Sequence, residues 1–144
     1  TNTLKDVPKE KLIEMPVSEE MQMGITNGVA VEGSVPISIY PRWNFLLLAA
    51  NQLVNHLDKL PDYSHREYVP KVIIRTGIGS VRPLNPQLQH TGDFTEAFQK
   101  MLTNIEVIRL EEPEDIFPAY YRAYNREDGK STIVVEYGDY YSEK

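Results

Sequence analysis

Five residues have the types and spacing to do chemistry: Glu19, Tyr40, Trp43, Phe45 and His90. Glu19 stands in Pro16-Val-Ser-Glu-Glu, where Ser18 is placed to cap a helix and Glu19 and Glu20 fall in its first turn. An acid there serves the helix dipole, and on position alone that is the commoner role. The functional alternative is a carboxylate partly desolvated beside a ligand, able to exchange a proton with a ring nitrogen. Tyr40, Trp43 and Phe45 lie just past an apolar stretch. Such aromatics are ordinarily core, yet they can also offer a flat face to a heterocycle. His90 ends a long irregular stretch, just ahead of a helix start, in Gln89-His90-Thr91-Gly92. That position suits a structural hydrogen-bonder and an active-site acid or base equally.

These residues need elements to position them. Leu12 to Met15 reads as a strand closed by Pro16, and a helix follows to about Glu32 with Met21, Ile25 and Val29 as its core face. Gly24 and Gly28, on an adjacent stripe, predict close approach by another backbone or a ligand. Gly33 ends that helix, and Val35 to Tyr40 is a strand stopped by Pro41. Trp43 to Lys59 is a helix apolar over most of its surface, to be packed deeply or against another subunit. Leu60 to Pro70 is a polar connection, and Lys71 to Thr76, with Val72, Ile73 and Ile74 in a row, is a strand buried on both faces.

The stretch from Gly77 to Gly92 has no period; loops this long are functional or disordered. Asp93 and Glu96 make a capping-box-like pair for the next helix, Ile105 to Leu110 is a strand, and Pro113 opens a helix through about Tyr124 that Pro118 kinks or delays. Asp128-Gly129 is a turn, Thr132 to Tyr137 a final strand, and the rest a tail. Alternating strands and helices indicate an α/β fold, a mainly parallel sheet with helices on both faces. Ligands of such sheets sit outside the carboxyl ends of the strands and near helix amino termini, where Glu19 and the aromatics could converge. A carboxylate beside an aromatic face suits a flat nitrogen heterocycle.

Composition narrows the function. With 144 residues, 41% of them apolar, the chain supports one domain with a real core; we expect a polar lead-in over 1–11 and a single domain over 12–144. The net charge is -6 and the basic residues are scattered, so no nucleic acid is expected as partner. Cysteine is absent, which rules out disulfides and thiolate chemistry. The longest apolar run, Phe45 to Ala50, is far short of the roughly 20 residues that span a bilayer, so no membrane is expected and a cytoplasmic location is. His56 and His65 make no metal constellation with His90, and no metal ligands are assigned. Thr76-Gly-Ile-Gly-Ser80 lacks the third glycine of a dinucleotide loop, and there is neither a Gly-Lys-Ser/Thr phosphate loop nor a Gly-x-Ser-x-Gly elbow.

Taken in order, Pro16-Val-Ser-Glu-Glu, the glycine-containing helix, Ile39-Tyr-Pro-Arg-Trp-Asn-Phe45, Asn51-Gln-Leu-Val-Asn55, Lys71-Val-Ile-Ile-Arg-Thr-Gly77 and Gln89-His90-Thr91 resemble the pyrimidine-binding domain of thiamine diphosphate enzymes. Within that transketolase-like group the chain looks most like the beta subunit of the 2-oxoacid dehydrogenase decarboxylase component, over about residues 12–141. The resemblance implies that Glu19 bonds the aminopyrimidine nitrogen of thiamine diphosphate and favours its imino tautomer, which removes the thiazolium proton. It implies that Phe45 packs on the pyrimidine with Tyr40 and Trp43 as neighbours in the wall, and that His90 faces the substrate. The cofactor brings the reactivity; the protein supplies tautomer control, orientation and a dry pocket.

Members of the family hold the diphosphate and its magnesium through Gly-Asp-Gly and paired asparagines on a separate domain or subunit, and neither motif occurs here. The expectation is therefore half of an active site, completed by a diphosphate-binding partner in a hetero- or homo-oligomer, with the Trp43–Lys59 helix as contact surface. Gln-His-Thr-Gly stands where the dehydrogenases carry Gln-His-Ser, and Ile39 where they carry a glutamate, which leaves 2-oxoacids and ketose phosphates both open. The alternative is a non-catalytic assembly or regulatory module with the same fold. An α/β nucleotide-binding protein of another kind has no complete phosphate loop to support it.

Overall fold

Ser131–Tyr137 (β4) is buried along nearly its whole length because it has a parallel neighbour on each side and helices above and below. Ile73–Ile78 (β2) pairs with it from Ile73 opposite Thr132 to Ile78 opposite Tyr137, and Ile105–Arg109 (β3) flanks its other edge. Ile37–Ile39 (β1) pairs with the outer side of β2, which gives a four-stranded, all-parallel sheet in the order β1-β2-β4-β3. The computed structural model describes residues 4–81 and 85–142.

Strand pleating divides the side chains between two faces. One face carries Ser38, Val72, Ile74, Thr76, Ile78, Ile133 and Val135 and is covered by three helical elements. These are Glu19–Val31 (α1), the segment that begins with Trp43–Leu46 (α2), and Thr95–Met101 (α4). After α2 the segment passes through a 3-10 turn, Leu47–Ala49, and a π-helical stretch, Gln52–Leu57, to the short Leu60–Tyr63 (α3). Asp58, fully buried, accepts hydrogen bonds from the Thr103 and Asn104 amides at 2.8 Å each and so ties this segment to the turn before β3. Burial disfavours its charged form, but bonds from Lys59 and from those two amides hold its carboxyl below the usual range. The other face, with Ile73, Arg75, Thr132, Val134 and Glu136, is covered by Ile116–Asn125 (α5), with Tyr140 of the turn after β4 packed against the same cluster.

The predicted α/β sheet with helices on both faces is the one found, with one strand fewer. Leu12 to Met15 joins no ladder; Leu12 and Ile13 are exposed and border a groove of about 400 Å³ between β1 and α1. The reason lies in β1, which has three residues and follows Pro36, so that its outer edge offers too few free groups for a second ladder. The core face of α1 is also rotated from the expected one: Met23, Thr26 and Ala30 are buried, while Met21 and Ile25 are exposed. Gly24 meets only the Gln52 side chain at an ordinary 3.7 Å and Gly28 faces open space, so no other backbone crowds either glycine.

The remaining elements lie close to expectation. The polar connection from Leu60 includes α3 and passes through His65 and Arg66 at positive φ. Pro118 delays the last helix: Pro113–Asp115 is a 3-10 turn, and α5 proper starts at Ile116. Pro83, in the long loop, lies outside the described residues, as do the first three residues of the lead-in and the last two of the tail.

Candidate active site at the carboxyl edge of the sheet

Because α1 runs antiparallel to β1, its amino terminus returns to the strand's carboxyl end. The junction is fastened by Gln22, whose Nε2 donates to Ser38 Oγ and to the Ile39 carbonyl, both at 3.1 Å. Ser18 occupies the N-cap position, but its hydroxyl caps no amide. Glu19, half-buried, is therefore set beside Tyr40, whose hydroxyl donates to the Glu19 backbone carbonyl at 3.4 Å. Burial pushes the Tyr40 hydroxyl up to about 12; the nearby Glu19 charge adds to the rise and a bond with Ser38 opposes it. The phenol thus stays neutral next to the carboxylate.

Pro41 and Arg42 turn the chain from β1 into α2, which brings Phe45 to the same edge. Phe45 stacks on His90, with ring centroids 5.2 Å apart and planes inclined by 18°. His90 comes from a 3-10 turn, Leu88–His90, that follows the loop out of β2. Among the described residues, two polar atoms at this place are buried without a hydrogen-bond partner: His90 Nδ1 and Asn44 Oδ1. Trp43 Nε1 and Thr76 Oγ1 are in the same condition deeper in the core on this face.

Four of the five sequence candidates thus form two pairs, Glu19 with Tyr40 and Phe45 with His90, joined by the run from Tyr40 to Phe45. Trp43 stands apart from both: it is fully buried and packs on Phe98 at 4.8 Å. Tyr40 is almost as deeply enclosed and presents its hydroxyl toward Glu19, so of the three aromatics Phe45, half-buried, is the least enclosed. The groove beside β1 and a second cavity, about 370 Å³ between Ile37 and the α5 aromatics, are lined by none of Glu19, Phe45 and His90. Among the described residues no group of three or more His, Asp or Glu side chains could hold a metal, and no helix is long and apolar enough to cross a membrane.

Two residues at this edge escaped the sequence reading. Asn44 immediately precedes Phe45 with its side-chain nitrogen near Gly92, and Arg42 reaches from the start of α2 to the loop that carries His90. The signal was the polar pair alternating with aromatics in Pro41-Arg-Trp-Asn-Phe45, where an amphipathic helix start needs no arginine or asparagine. The family described as transketolase, pyrimidine binding domain, matches residues 1–141. No curated protein matches the chain.

Proposed function

Since the chain belongs to the transketolase pyrimidine-binding domain family, whose members serve thiamine diphosphate-dependent enzymes, we propose that it forms the pyrimidine side of such an active site. The substrate class is 2-oxoacids or ketose phosphates. The observation that carries the proposal is the Phe45–His90 stack with its two unpartnered polar atoms, on the same sheet edge as Glu19. A planar, polar heterocycle seated there would give Asn44 Oδ1 and His90 Nδ1 the partners they lack, and buried polar groups are rarely left without one. Glu19 would hold a proton shared with the ring nitrogen, the neutral Tyr40 phenol would fix the helix start behind it, and Phe45 would orient the ring. When bound, thiamine diphosphate supplies a nucleophilic carbon for addition to a carbonyl.

The reading requires a partner. The site residues Glu19, Phe45 and His90 are half-buried, and the sequence contains no Gly-Asp-Gly for the diphosphate and magnesium. We assign those to a partner domain or subunit. The helical segment from Trp43 supports a contact there, because it buries Trp43, Leu46, Ala49 and Leu53 yet leaves Leu47 and Leu48 exposed next to the site. The single-domain division at residue 12 and the kinship to the 2-oxoacid dehydrogenase beta subunit belong to the same proposal.

The test is Glu19→Gln in the protein assembled with its companion, thiamine diphosphate and magnesium. Turnover should fall by about 100-fold or more while the thermal unfolding midpoint stays within a degree or two. Near-normal turnover would remove Glu19 from the mechanism. Failure of the assembled wild-type protein to take up thiamine diphosphate in a titration would favour the non-catalytic module instead.

A further inference from the structure

We infer that Arg42 is a positioning residue that sets the Phe45–His90 stack by holding both of its sides at once. The inference deepens the proposed function, on which its consequences for turnover rest, whereas the geometry stands without it. The Arg42 backbone, extended at φ −150 and ψ 159, starts α2: its carbonyl accepts from the amides of Phe45 at 3.1 Å and Leu46 at 3.3 Å. Its side chain crosses to the other arm of the site. Nη1 donates to the carbonyls of Gly79 and, at 2.9 Å, His90, and Nη2 donates to the Ser80 carbonyl at 3.2 Å. One residue thus fixes where Phe45 begins its helix and where the backbone of His90 lies.

The three acceptors come from the two ends of the loop between β2 and α4. Gly79 and Ser80 lie at φ +69 and +55, a left-handed pair that turns both carbonyls toward the guanidinium. That conformation strains Ser80, since a side chain there meets the following carbonyl. A guanidinium suits such a place because it is planar, always charged and carries five donors in a fixed fork. Lysine would offer a point charge that cannot span the same three oxygens. Among the described residues, the other backbone hydrogen bond of His90 is the one its amide donates to the Gln87 carbonyl at 3.3 Å, within the same turn. The clamp is therefore what converts a histidine on a long loop into one stacked on Phe45.

Two-dimensional NMR on the full chain tests this directly. In the wild type, Arg42 guanidinium protons should exchange slowly and show Overhauser contacts to Gly79, Ser80 and His90; their absence overturns the inference without any substitution. In Arg42→Gln the Phe45–His90 ring contacts should vanish while the Ile74 and Ile133 methyl resonances stay in place. In Arg42→Lys they should weaken. Ring contacts at full strength in either folded variant would also overturn it.

In the assembled enzyme Arg42→Gln should lower kcat about 10- to 100-fold at saturating thiamine diphosphate, as expected for misplaced groups, and weaken cofactor binding as well, since Phe45 and His90 line its seat. Wild-type kcat at saturating cofactor would overturn the positioning role. Because the ring contacts are read without cofactor, failure of the thiamine diphosphate reading would leave them unchanged.

Discussion

The α5 face pairs its buried polar groups, whereas the face under α1 and α2 mixes paired groups, such as Asp58 and the Thr26–Ser38 bond, with unpaired ones. Under α5 the polar groups satisfy one another: Glu136, almost fully buried, accepts from Arg75 Nε at 2.9 Å and from the Tyr120 hydroxyl at 2.5 Å. Arg126 likewise joins Glu106 at 2.8 Å, Thr132 at 2.7 Å and Asp128. Under α1 and α2 the core is larger and more apolar, yet Trp43 Nε1, Asn44 Oδ1, Thr76 Oγ1 and His90 Nδ1 are all buried without partners among the described residues. A closed network stabilises a fold and leaves nothing for a ligand, whereas unpaired groups cost stability until water, a ligand or a partner chain meets them. The α5 face is thus framework and the α2 face is where recognition is to be sought. Glu19 and Arg42 belong with the second.

The largest effect that would sharpen this contrast is Glu136→Gln. It takes the carboxylate from Arg75 and Tyr120 together, and breaking a buried charged network is expected to cost about 3 kcal/mol, measured as a lowered urea midpoint with unchanged slope. Thiamine diphosphate binding in the assembled protein should survive wherever the variant is folded. An unaltered midpoint would show that the α5-face network carries no stability, and the contrast between the faces would fail.

A second effect compares one tyrosine from each face. Burial raises the Tyr40 hydroxyl from 10 to about 12, and burial together with the bond to Glu136 raises Tyr120 as well. A phenol whose folded pKa is raised stabilises fully below its unfolded value near 10, because both states are then protonated. Above that, the unfolded chain ionises first, and the contribution is lost as pH rises through the folded value. Stability should therefore fall between about pH 10 and 12, by at most about 3 kcal/mol from Tyr40. Urea unfolding at pH 9 and 11 checks it: Tyr40→Phe should flatten the pH dependence. Tyr120→Phe should flatten it too, but at the cost of lower stability already at pH 9, since it strips a bond from Glu136. Equal behaviour of the two variants at pH 9 would remove the distinction.

What the sequence could and could not reveal follows the same division. Hydrophobic runs and turn residues place β2, β3, β4, α4 and α5 within a few residues, because Val72-Ile-Ile and Thr132-Ile-Val-Val have no stable alternative to a doubly covered strand. Leu12 to Met15 has the same composition on a smaller scale, but strand formation needs a neighbour, and the short β1 behind Pro36 supplies none. The rotation of α1 was invisible for a related reason: Met21-Ile25-Val29 and Met23-Thr26-Ala30 are both helical stripes, and the choice is made by Gln22 and Thr26 bonding Ser38 across to β1. Glu19 and His90 were legible as types at suggestive positions. That Phe45 would stack on His90, that Trp43 would turn inward to Phe98, and that Arg42 would tie three carbonyls are long-range facts that no local pattern encodes.

The smallest effect bears most directly on the unpaired groups. Thr76 and Thr132 are both buried β-branched residues of central strands, on opposite faces, and Val replaces either with almost no change of shape. The Thr132 hydroxyl accepts from Arg126 Nη1 at 2.7 Å, so Thr132→Val removes an acceptor from a half-buried charged donor and should cost about 1 kcal/mol. Among the described residues the Thr76 hydroxyl has no partner, so Thr76→Val exchanges an unpaired buried oxygen for a methyl group and should stabilise by about 0.5 to 1 kcal/mol. Opposite signs in paired urea titrations would show that one face is energetically closed and the other is not. A destabilising Thr76→Val would mean that its hydroxyl is already satisfied in the free protein, and the case for a ligand-seeking face would then rest on Trp43, Asn44 and His90.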